Sequence, residues 1–386
     1  MARLGDVCDI LNGFAFKSEQ YVEEGIRIIR IANVQKGYIE DSTPVFYPID
    51  NKDAKKYSLE EDDMLMSLTG NVGRVAKLSK EFLPAALNQR VACLRIKDGV
   101  ALDKAFLFNL LNSDYFEQQC IAASKGVAQK NMSTEWLKEY EIPMFSLEQQ
   151  KKIASVLDKV TELIALRKEQ LAKLEQLVKS QFIELFGATG KQVPLTDYVW
   201  FQEGPGVRSV DFTEDGTILL TGSNINDNEI SFGHKSDRHI SNELASGKYA
   251  HFMCDRDDIL VVSSAIDPDK FDKKVVVVDT DKKYCLNTGI IRFKPNKQHL
   301  TLGYFREFLK TDYFKHQVSS EMRGIAQMHF GPSHLKQMTI LLPNSIESQI
   351  VFEEFVQQTD KSKLAIQASL EKLETLKKAL MQEYFG

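Results

Sequence analysis

Two stretches of this 386-residue chain place apolar residues at alternating steps of four and three, the spacing of a coiled-coil seam. In residues 146–185 the seam positions are Ile153, Leu157, Val160, Ile164, Leu171, Leu174, Val178 and Leu185. In residues 345–386 they are Phe352, Val356, Ile366, Leu370, Leu373, Leu380 and Tyr384. Each stretch predicts one long helix, and about forty residues at ~1.5 Å per residue give a rod of roughly 60 Å.

The two predicted helices begin and end with the same residue pattern. The first opens with Leu-Glu-x-Gln at residues 147–150 and closes with Phe-Gly at 186–187. The second opens with Ile-Glu-x-Gln at residues 346–349 and closes with Phe-Gly at 385–386. A repeat this long is typical of a duplicated domain and not of a short solenoid unit.

The ends and the seam of the first helix carry further signals. Ser146 and Gln149 form a candidate capping box, Gly187 is a stop signal, and Arg167 interrupts the seam. One alternative is that each helix packs only on its own domain. Two seams of matched register instead predict an antiparallel coiled coil with one globular domain at each end, a dumbbell with approximate two-fold symmetry.

The duplication extends through the globular parts of the chain. Short motifs of the first half recur in the same order in the second half. The matching pairs are Leu4 and Leu195, Gly13 and Gly204, Asn33-Val34 and Asn224-Ile225, Leu87-Asn88 and Leu286-Asn287, Asp114-Tyr115-Phe116 and Asp312-Tyr313-Phe314, and 126–129 and 324–327. We therefore expect globular domains at residues 1–145 and 188–344, and helices at 146–187 and 345–386.

Each globular half has the pattern of a mixed α/β (α+β) domain. Short runs rich in β-branched residues, bounded by Gly, Asp and Asn, predict strands at residues 26–31, 91–96, 259–262 and 275–278. Apolar residues three and four apart favour helices within residues 103–119 and 302–317. The fold class is thus two tandem copies of a small sheet with a few helices.

Composition places the chain among reduced, globular proteins. Hydrophobic residues make up 43% and charged residues 27% of the chain, and neither a bilayer-spanning stretch nor a secretory leader is recognisable. The five cysteines are odd in number and never form CxxC, which argues against a disulfide framework or a zinc knuckle. We expect a cytoplasmic protein without a membrane partner. The net charge of −5 decides little, because phosphate binding depends on a local basic face.

The usual catalytic patterns are incomplete in this sequence. The Gly-x-x-Gly-Lys run at 187–191 resembles a phosphate loop, but it is too short and Gln192 follows where Ser or Thr would bind magnesium. Asp269, Asp272 and Lys274 imitate a nuclease set, although a solvated turn is the simpler interpretation. All seven histidines lie in the second half, without counterparts in the first. We therefore expect no catalytic residue and no metal site.

Four motifs together resemble the specificity (S) subunit of Type I restriction-modification systems. They are Arg3-Leu4-Gly5-Asp6-Val7, the glycine loop at 69–75, Leu87-Asn88-Gln89-Arg90, and Ile142-Pro143 followed by Ser146-Leu147-Glu148-Gln149-Gln150. The resemblance covers the full length. It implies two target-recognition domains, at 1–145 and 188–344, which each read one half of a split double-stranded DNA sequence and are separated by two spacer helices.

The resemblance also implies partners and the absence of catalysis in this chain. Two methyltransferase (M) subunits would dock on the helices, and restriction/translocase (R) subunits would join them. S-adenosylmethionine, ATP and magnesium would be bound by those partners and not by this chain. The second half departs from the pattern where Ser263-Ser264-Ala265-Ile266-Asp267-Pro268 replaces the glycine loop, so the role of that loop does not carry over.

Base-reading residues are predicted from chemistry, because the resemblance does not identify them. Arg, Lys, Asn, Gln and Ser in loops bind base edges or phosphates, although each is as readily a solvated or turn-forming residue. In the first domain the candidates are Lys17, Arg30, Asn33, Gln35, Lys36, Arg74, Gln89, Arg90, Lys125, Gln129, Lys130 and Asn131. In the second they are Arg208, Ser223, Asn224, Asn226, Lys235, Arg238, Lys270, Arg323, Gln327 and His329.

The predicted rod suggests how such a protein would work. Readers set inward from the ends of a ~60 Å rod would fit two half-sites about one helical turn (~34 Å) or somewhat more apart, so helix length would set the unread spacer. The alternative is a coiled-coil adaptor whose globular ends bind proteins, and it would lack salt-dependent DNA affinity. A fused restriction-methylation enzyme would need a catalytic domain that this sequence does not supply.

Overall fold

The computed structural model describes residues 1–124, 131–187, 190–264, 266–320 and 330–386. The chain divides into two compact units. The first unit comprises Met1–Lys168 and Gln367–Gly386, and the second comprises Glu169–Ile366. Each unit thus combines one globular part with a portion of both long helices.

The first unit contains two small sheets and a terminal strand pair. The first sheet is antiparallel, and its four strands lie in the order Cys8–Asn12, Val91–Ile96, Met64–Ser67 and Val75–Lys77. The strands of the second sheet lie in the order Phe46–Tyr47, Ile26–Ile29 and Ala85–Leu87, and the last two are parallel. The terminal strand pair joins Ala2–Arg3 to Glu141–Ile142. Helices lie at Leu4–Val7, Lys52–Lys56, Lys104–Leu111, Asp114–Ala123 and Thr134–Glu139, with 3-10 turns at Ser18–Gln20 and Lys80–Phe82.

The second unit repeats this plan. Its antiparallel sheet orders as Val199–Glu203, Ile290–Pro295, Ile259–Val262 and Val275–Val277, and Lys191–Pro194 pairs with Thr339–Leu342. The other strands are Phe212–Thr213, Arg238–Ile240, Thr217–Leu220, Cys285–Leu286, Ile225–Asn226 and Glu229–Ile230. Helices lie at Leu195–Tyr198, Asn242–Ser246, Leu302–Leu309, Asp312–Ser320 and Pro332–Leu335, with 3-10 helices at Ser209–Asp211, Gly222–Asn224, Ala250–Phe252 and Pro268–Lys274.

The matched strand orders confirm two tandem copies of one α/β fold. In both units the sheet with a parallel pair joins corresponding strands, Ile26–Ile29 with Ala85–Leu87 and Thr217–Leu220 with Cys285–Leu286. The repeated glycine pair has a steric reason. A Cβ at Gly13 would lie 2.2 Å from the carbonyl oxygen of Asn88, and a Cβ at Gly204 would lie 2.2 Å from that of Asn287.

The helical pattern over residues 103–119 and 302–317 divides into two helices in each unit. In the first unit the first of these helices ends at Leu111 and Ser113 caps the next, because the Ser113 Oγ accepts a hydrogen bond from Phe116 N at 3.1 Å. Thr311 does the same in the second unit, with its Oγ1 3.3 Å from Phe314 N. A side-chain oxygen that satisfies a free helix N–H group favours a new helix start at that point.

The two long helices are continuous over Leu147–Phe186 and Ile346–Phe385. The predicted capping box of the first is present, since Gln149 N donates to Ser146 Oγ at 3.3 Å and Ser146 N donates to Gln149 Oε1 at 3.1 Å. Within the described ranges, no helix combines the length and the apolar character that crossing a bilayer requires.

In the first unit the two long helices run antiparallel. Ile153 and Leu157, near the start of the first helix, pack in the same core as Leu380 and Tyr384, near the end of the second. Further along, Lys168 Nζ lies 3.1 Å from Glu374 Oε1. Residue numbers thus rise along one helix as they fall along the other.

In the second unit the helices are also antiparallel. Val178 near the end of the first helix shares a core with Phe352 and Val356 near the start of the second. Phe182 and Phe186 join them, with the rings of Phe182 and Phe352 centred 5.6 Å apart. The seam prediction omitted both phenylalanines. The other predicted seam residues are all buried or half-buried: Val160, Ile164, Leu171, Leu174, Leu185, Ile366, Leu370 and Leu373.

A buried glutamine fastens the start of each long helix to its globular part. Gln150 accepts from Asp103 N at 2.8 Å and donates to the carbonyl oxygens of Ala101 at 3.1 Å and Phe145 at 2.8 Å. Gln349 accepts from Thr301 N at 2.9 Å and donates to His299 O at 2.9 Å. Both side chains are fully enclosed, which explains why the helices open with the same motif.

We predict that Gln349→Leu lowers the free energy of unfolding by about 1–3 kcal/mol, because the buried glutamine no longer accepts from Thr301 N–H or donates to His299 C=O. Urea unfolding of the full chain would measure the loss. Gln357→Leu, at an exposed position of the same helix, is the matched control and should change stability far less. Equal losses in the two variants would contradict the fastening role.

Candidate nucleic-acid interface

In the first unit the connection between the strands Met64–Ser67 and Val75–Lys77 forms the centre of the candidate surface. This recognition loop, residues 68–74, turns through Gly70 at φ +72° and Gly73 at φ +84°. A Cβ at Gly73 would lie 2.8 Å from Cys120 Cβ. Both glycines are therefore needed, one for its left-handed turn and the other also for close packing on the helix Asp114–Ala123.

Backbone hydrogen bonds gather three other segments around the recognition loop. Leu68 N donates to Arg90 O at 3.0 Å, and Met132 N donates to Leu68 O at 2.9 Å. Gly37 N donates to Val75 O at 2.9 Å, just beyond the loop. Segments near 37, 90 and 131 thus converge on residues 68–75.

This convergence brings together several residues that were predicted to bind DNA. Arg74 Nη1 donates to Gln35 Oε1, and Gln35 Nε2 donates to Ala32 O at 2.9 Å, so the Gln35 amide has a defined orientation. Asn131 pairs with Thr69 as an isolated bridge. Gln89, Arg90 and Asn131 are exposed. The group presents amide and guanidinium donors on one part of the first unit, as reading of base edges requires.

Asn33 has a different role, because its side chain is only 4% exposed. Its Oδ1 accepts from Arg30 N at 2.9 Å, and its Nδ2 donates to Glu40 O at 2.7 Å. The Arg30 side chain in turn donates from Nη2 to Thr43 O at 2.8 Å. These bonds close the 30–43 segment on itself, so Asn33 corresponds to the turn-forming alternative.

Lys36 and Lys17 are also bound within the protein. Lys36 Nζ lies 2.7 Å from Asp114 Oδ1 and 2.7 Å from Glu117 Oε2. Partial burial alone would lower the pKa of Lys36, but these carboxylates outweigh it and raise that pKa, while Lys36 holds the pKa of Asp114 low. Lys17 has an exposed side chain, and its backbone N donates to the Tyr47 hydroxyl at 2.7 Å.

The second unit has the same frame with a different loop. Ser263 N donates to Gly289 O at 2.8 Å and Phe330 N donates to Ser263 O at 2.9 Å, as Leu68 does with Arg90 and Met132. The connection from there runs over residues 263–274 and includes the 3-10 helix Pro268–Lys274, so it is longer than residues 68–74. The glycine loop therefore has no direct equivalent here.

Asn224 repeats the hydrogen bonds of Asn33. Its Oδ1 accepts from Thr221 N at 3.0 Å, and its Nδ2 donates to Ser231 O at 3.1 Å and Asp237 Oδ1 at 2.8 Å. The side chain is fully buried. The duplicated asparagine therefore shapes the loop in both units and does not face solvent.

Other predicted residues of the second unit lie around this turn. Ser223 Oγ is 3.1 Å from Ser236 Oγ, and Asn226 Nδ2 donates to Ser223 O at 2.7 Å. Lys274, which sequence reasoning placed only in a doubtful nuclease set, donates from Nζ to Asn226 Oδ1 at 2.6 Å. The residues around Lys274 are mostly charged, and nothing in that local sequence indicates a contact with Asn226.

The remaining second-unit candidates have local contacts or lie on the surface. Arg238 Nη1 donates to Asp237 O at 2.8 Å, and Lys270 Nζ is 3.4 Å from Asp267 Oδ2. Arg208 and Lys235 are exposed. Six predicted residues lie outside the described residues: Lys125, Gln129, Lys130, Arg323, Gln327 and His329.

The cysteine thiols are unsuited to act as nucleophiles. All five are free and buried, and desolvation raises the pKa of Cys8 and Cys120 to about 12, so these thiols stay protonated at neutral pH. Among the described residues, no group of three His, Cys, Asp or Glu side chains is placed to hold a metal ion.

Comparison with known proteins relates both units to one family. The family model of the Type I restriction modification DNA specificity domain matches residues 1–176 and 191–378. The Type I restriction enzyme MjaVIII specificity subunit of Methanocaldococcus jannaschii is 31% identical over 186 residues, which are 46% of this chain and 43% of that relative. The chain thus matches less than half the length of that protein.

Two further comparisons extend over more of the chain. The Type I restriction enzyme EcoBI specificity subunit of Escherichia coli is 24% identical over 381 residues, covering 90% of this chain and 76% of that relative. The crystal structure of the Type I restriction-modification S subunit from M. genitalium aligns with a TM-score of 0.56 at 16% identity, covering 100% of this chain and 95% of that one. This second likeness concerns the fold alone.

We predict that Asn224→Asp lowers the free energy of unfolding by about 2 kcal/mol at neutral pH, because it sets a second carboxylate against Asp237 and Ser231 O in a buried site. Urea unfolding would measure this loss. Asn344→Asp makes the same change at an exposed residue and should leave stability nearly unaltered. A neutral effect at Asn224 would contradict the loop-forming role.

Proposed function

Because this chain belongs to the family of Type I restriction-modification DNA specificity domains, we propose that it recognises a double-stranded DNA sequence in two halves, one half for each unit. The observation that carries the proposal is the duplicated frame with unlike loops. Both units hold a surface loop at the same backbone hydrogen bonds, those of Leu68 and Ser263. The shared backbone hydrogen bonds would place the two loops in equivalent positions on DNA. The different lengths and sequences of the loops would let the units bind different bases.

The chemistry of the exposed residues supports reading of base edges. Arg90 and Asn131 in the first unit can form paired hydrogen bonds with guanine and adenine, respectively, in the major groove. In the second unit the exposed candidates are Ser223, Asn226 and Arg238, which stand at other positions of the frame. Since loop length and residue type differ, the two half-sites would differ in sequence.

We propose that partner proteins supply the chemistry of modification and cleavage, so that this chain itself is not catalytic. Two methyltransferase subunits and the restriction/translocase subunits would carry S-adenosylmethionine, ATP and magnesium, in the cytoplasm. Exposed leucines on the long helices support a docking role, because large apolar side chains in water favour association. Leu163, Leu166 and Leu376 of the first unit and Leu177 and Leu364 of the second are 43% to 64% exposed.

The net charge of −5 bears on affinity. An acidic chain repels the phosphate backbone at long range, so binding by this chain alone would be weak, with partner subunits enclosing the duplex. The alternative function, a coiled-coil adaptor that binds only proteins, is also compatible with the exposed leucines. The two functions differ in whether the chain has a salt-dependent affinity for DNA.

We predict that the full chain selects a split sequence from a random DNA pool. Arg90→Ala with Asn131→Ala should relax the preference in one half only, at about 1–3 kcal/mol per lost base contact, and Arg238→Ala should relax the other half. Lys372→Ala removes a charge from the second long helix and should change neither half. Absence of any selected sequence, with or without methyltransferase, would favour the adaptor.

A second prediction concerns the spacer between the half-sites. Deleting one heptad within residues 163–178, with one heptad of the second helix, should shorten the unread spacer by about three base pairs, since seven residues rise ~10.5 Å and a base pair ~3.4 Å. Selection from a random pool would report both spacer and half-sites. Altered half-site letters at an unchanged spacer would contradict the proposal that helix length sets the spacing.

A further inference from the structure

Two lysines, one in each unit, lie beside the proposed recognition residues but direct their ammonium groups to other parts of the protein. Lys36 lies next to Gln35, which contacts Arg74. Lys274 lies at the end of the 3-10 helix Pro268–Lys274 and contacts Asn226. Of the two, only Lys36 was predicted from the sequence to bind DNA.

Lys36 connects its loop to the helix Asp114–Ala123. Its Nζ is 2.7 Å from both Asp114 Oδ1 and Glu117 Oε2, so two negative charges face one positive charge. On either side of Lys36, Gln35 contacts the Arg74 side chain and Gly37 N donates to Val75 O at 2.9 Å. The lysine therefore holds the segment that orients Arg74.

The same helix supports the recognition loop at a second point. Gly73 packs so closely on Cys120 that a Cβ at Gly73 would lie 2.8 Å from Cys120 Cβ. One turn earlier in this helix, Glu117 binds Lys36. The helix thus holds two segments beside Arg74: it packs against Gly73 of the recognition loop, and it forms an ion pair with Lys36.

Lys274 performs the corresponding task in the second unit. Its Nζ donates to Ile225 O at 2.8 Å, to Asn226 Oδ1 at 2.6 Å and to Gly222 O at 3.4 Å. An ammonium group has three donors, and three oxygens accept them here. These oxygens belong to the turn that carries Ser223, so a phosphate could bind Lys274 only by releasing that turn.

We infer that Lys36 and Lys274 are positioning residues, which hold the recognition segments of the two units in place and do not neutralise DNA phosphates. This inference rests on the proposed function. Lys36 is a poor phosphate contact because its ammonium group is already paired with the carboxylates of Asp114 and Glu117, which a phosphate would have to displace.

The salt dependence of binding separates positioning from phosphate contact. Each phosphate contact contributes about 0.9 to the slope of log affinity against log salt. We expect Lys36→Met and Lys274→Met to weaken binding of the selected DNA about twofold to fivefold with an unchanged slope. Lys17→Met, at a predicted DNA-binding lysine whose side chain is exposed, is the comparison and should reduce the slope by about 0.9 through the loss of one phosphate contact.

The carboxylate partners provide a test of opposite sign. Asp114→Asn with Glu117→Gln adds two units of positive charge to the chain, which by long-range electrostatics alone would strengthen DNA binding. The inference instead predicts weaker binding, because Lys36 loses its anchor. Lys36→Arg should preserve near-normal affinity, since a guanidinium also bridges two carboxylates.

The measurements are made on the full chain, with unfolding midpoints recorded for every variant. A slope reduced by about 0.9 in Lys36→Met or Lys274→Met, unchanged affinity in both, or tighter binding of the carboxylate variant would overturn the inference while leaving the proposed function standing. If the unsubstituted chain, with or without methyltransferase, binds no DNA, both fail together. Weaker binding at a constant slope, with unfolding midpoints preserved, supports the inference.

Discussion

The attachment of each long helix to its own globular part is the constraint on which the remaining structure depends. Gln150 and Gln349 are enclosed near the starts of the long helices. Gln150 bonds to backbone groups just before the short helix Lys104–Leu111, and Gln349 to backbone groups just before the short helix Leu302–Leu309. An amide in such a site has one orientation that satisfies its partners, and any other leaves buried groups unpaired at a cost of about 1–3 kcal/mol each. Seam packing then sets the rotation of the helix about its axis.

The duplicated frame separates residues that shape the loops from residues free to differ. Asn33 and Asn224 both accept from a backbone N–H group and donate to a backbone C=O group. Asn224 also donates to the carboxylate of Asp237. Asn33 instead has a longer contact of 3.4 Å to Asp41. On this shared support the two units carry connections of unequal length, residues 68–74 and 263–274. A fold that keeps its support while its loops change can serve two different sequences.

Prediction from sequence succeeded where one physical signal dominates a residue's position. The seam residues follow the periodicity of buried helix faces, and the β-branched runs at 91–96 and 259–262 became central strands. Phe182 and Phe186 were omitted because each stands one residue beyond the four-three spacing of the seam, and they pack against Phe352 and Tyr304. The candidate interface was only partly predictable, because a polar residue in a loop can face solvent or bind its own chain, and composition does not distinguish the two.

The sequence by itself determined the duplication, the α/β class of each half and the two long helices, because periodic burial and repeated motifs are properties of order along the chain. Only the tertiary structure decided which polar side chains remain available. Asn33 and Asn224 are buried, Lys36 is bound to two carboxylates far away in sequence, and Lys274 is bound to a turn some fifty residues earlier. Such contacts depend on distances between segments that the chain brings together when it folds, and no local pattern of residues records them.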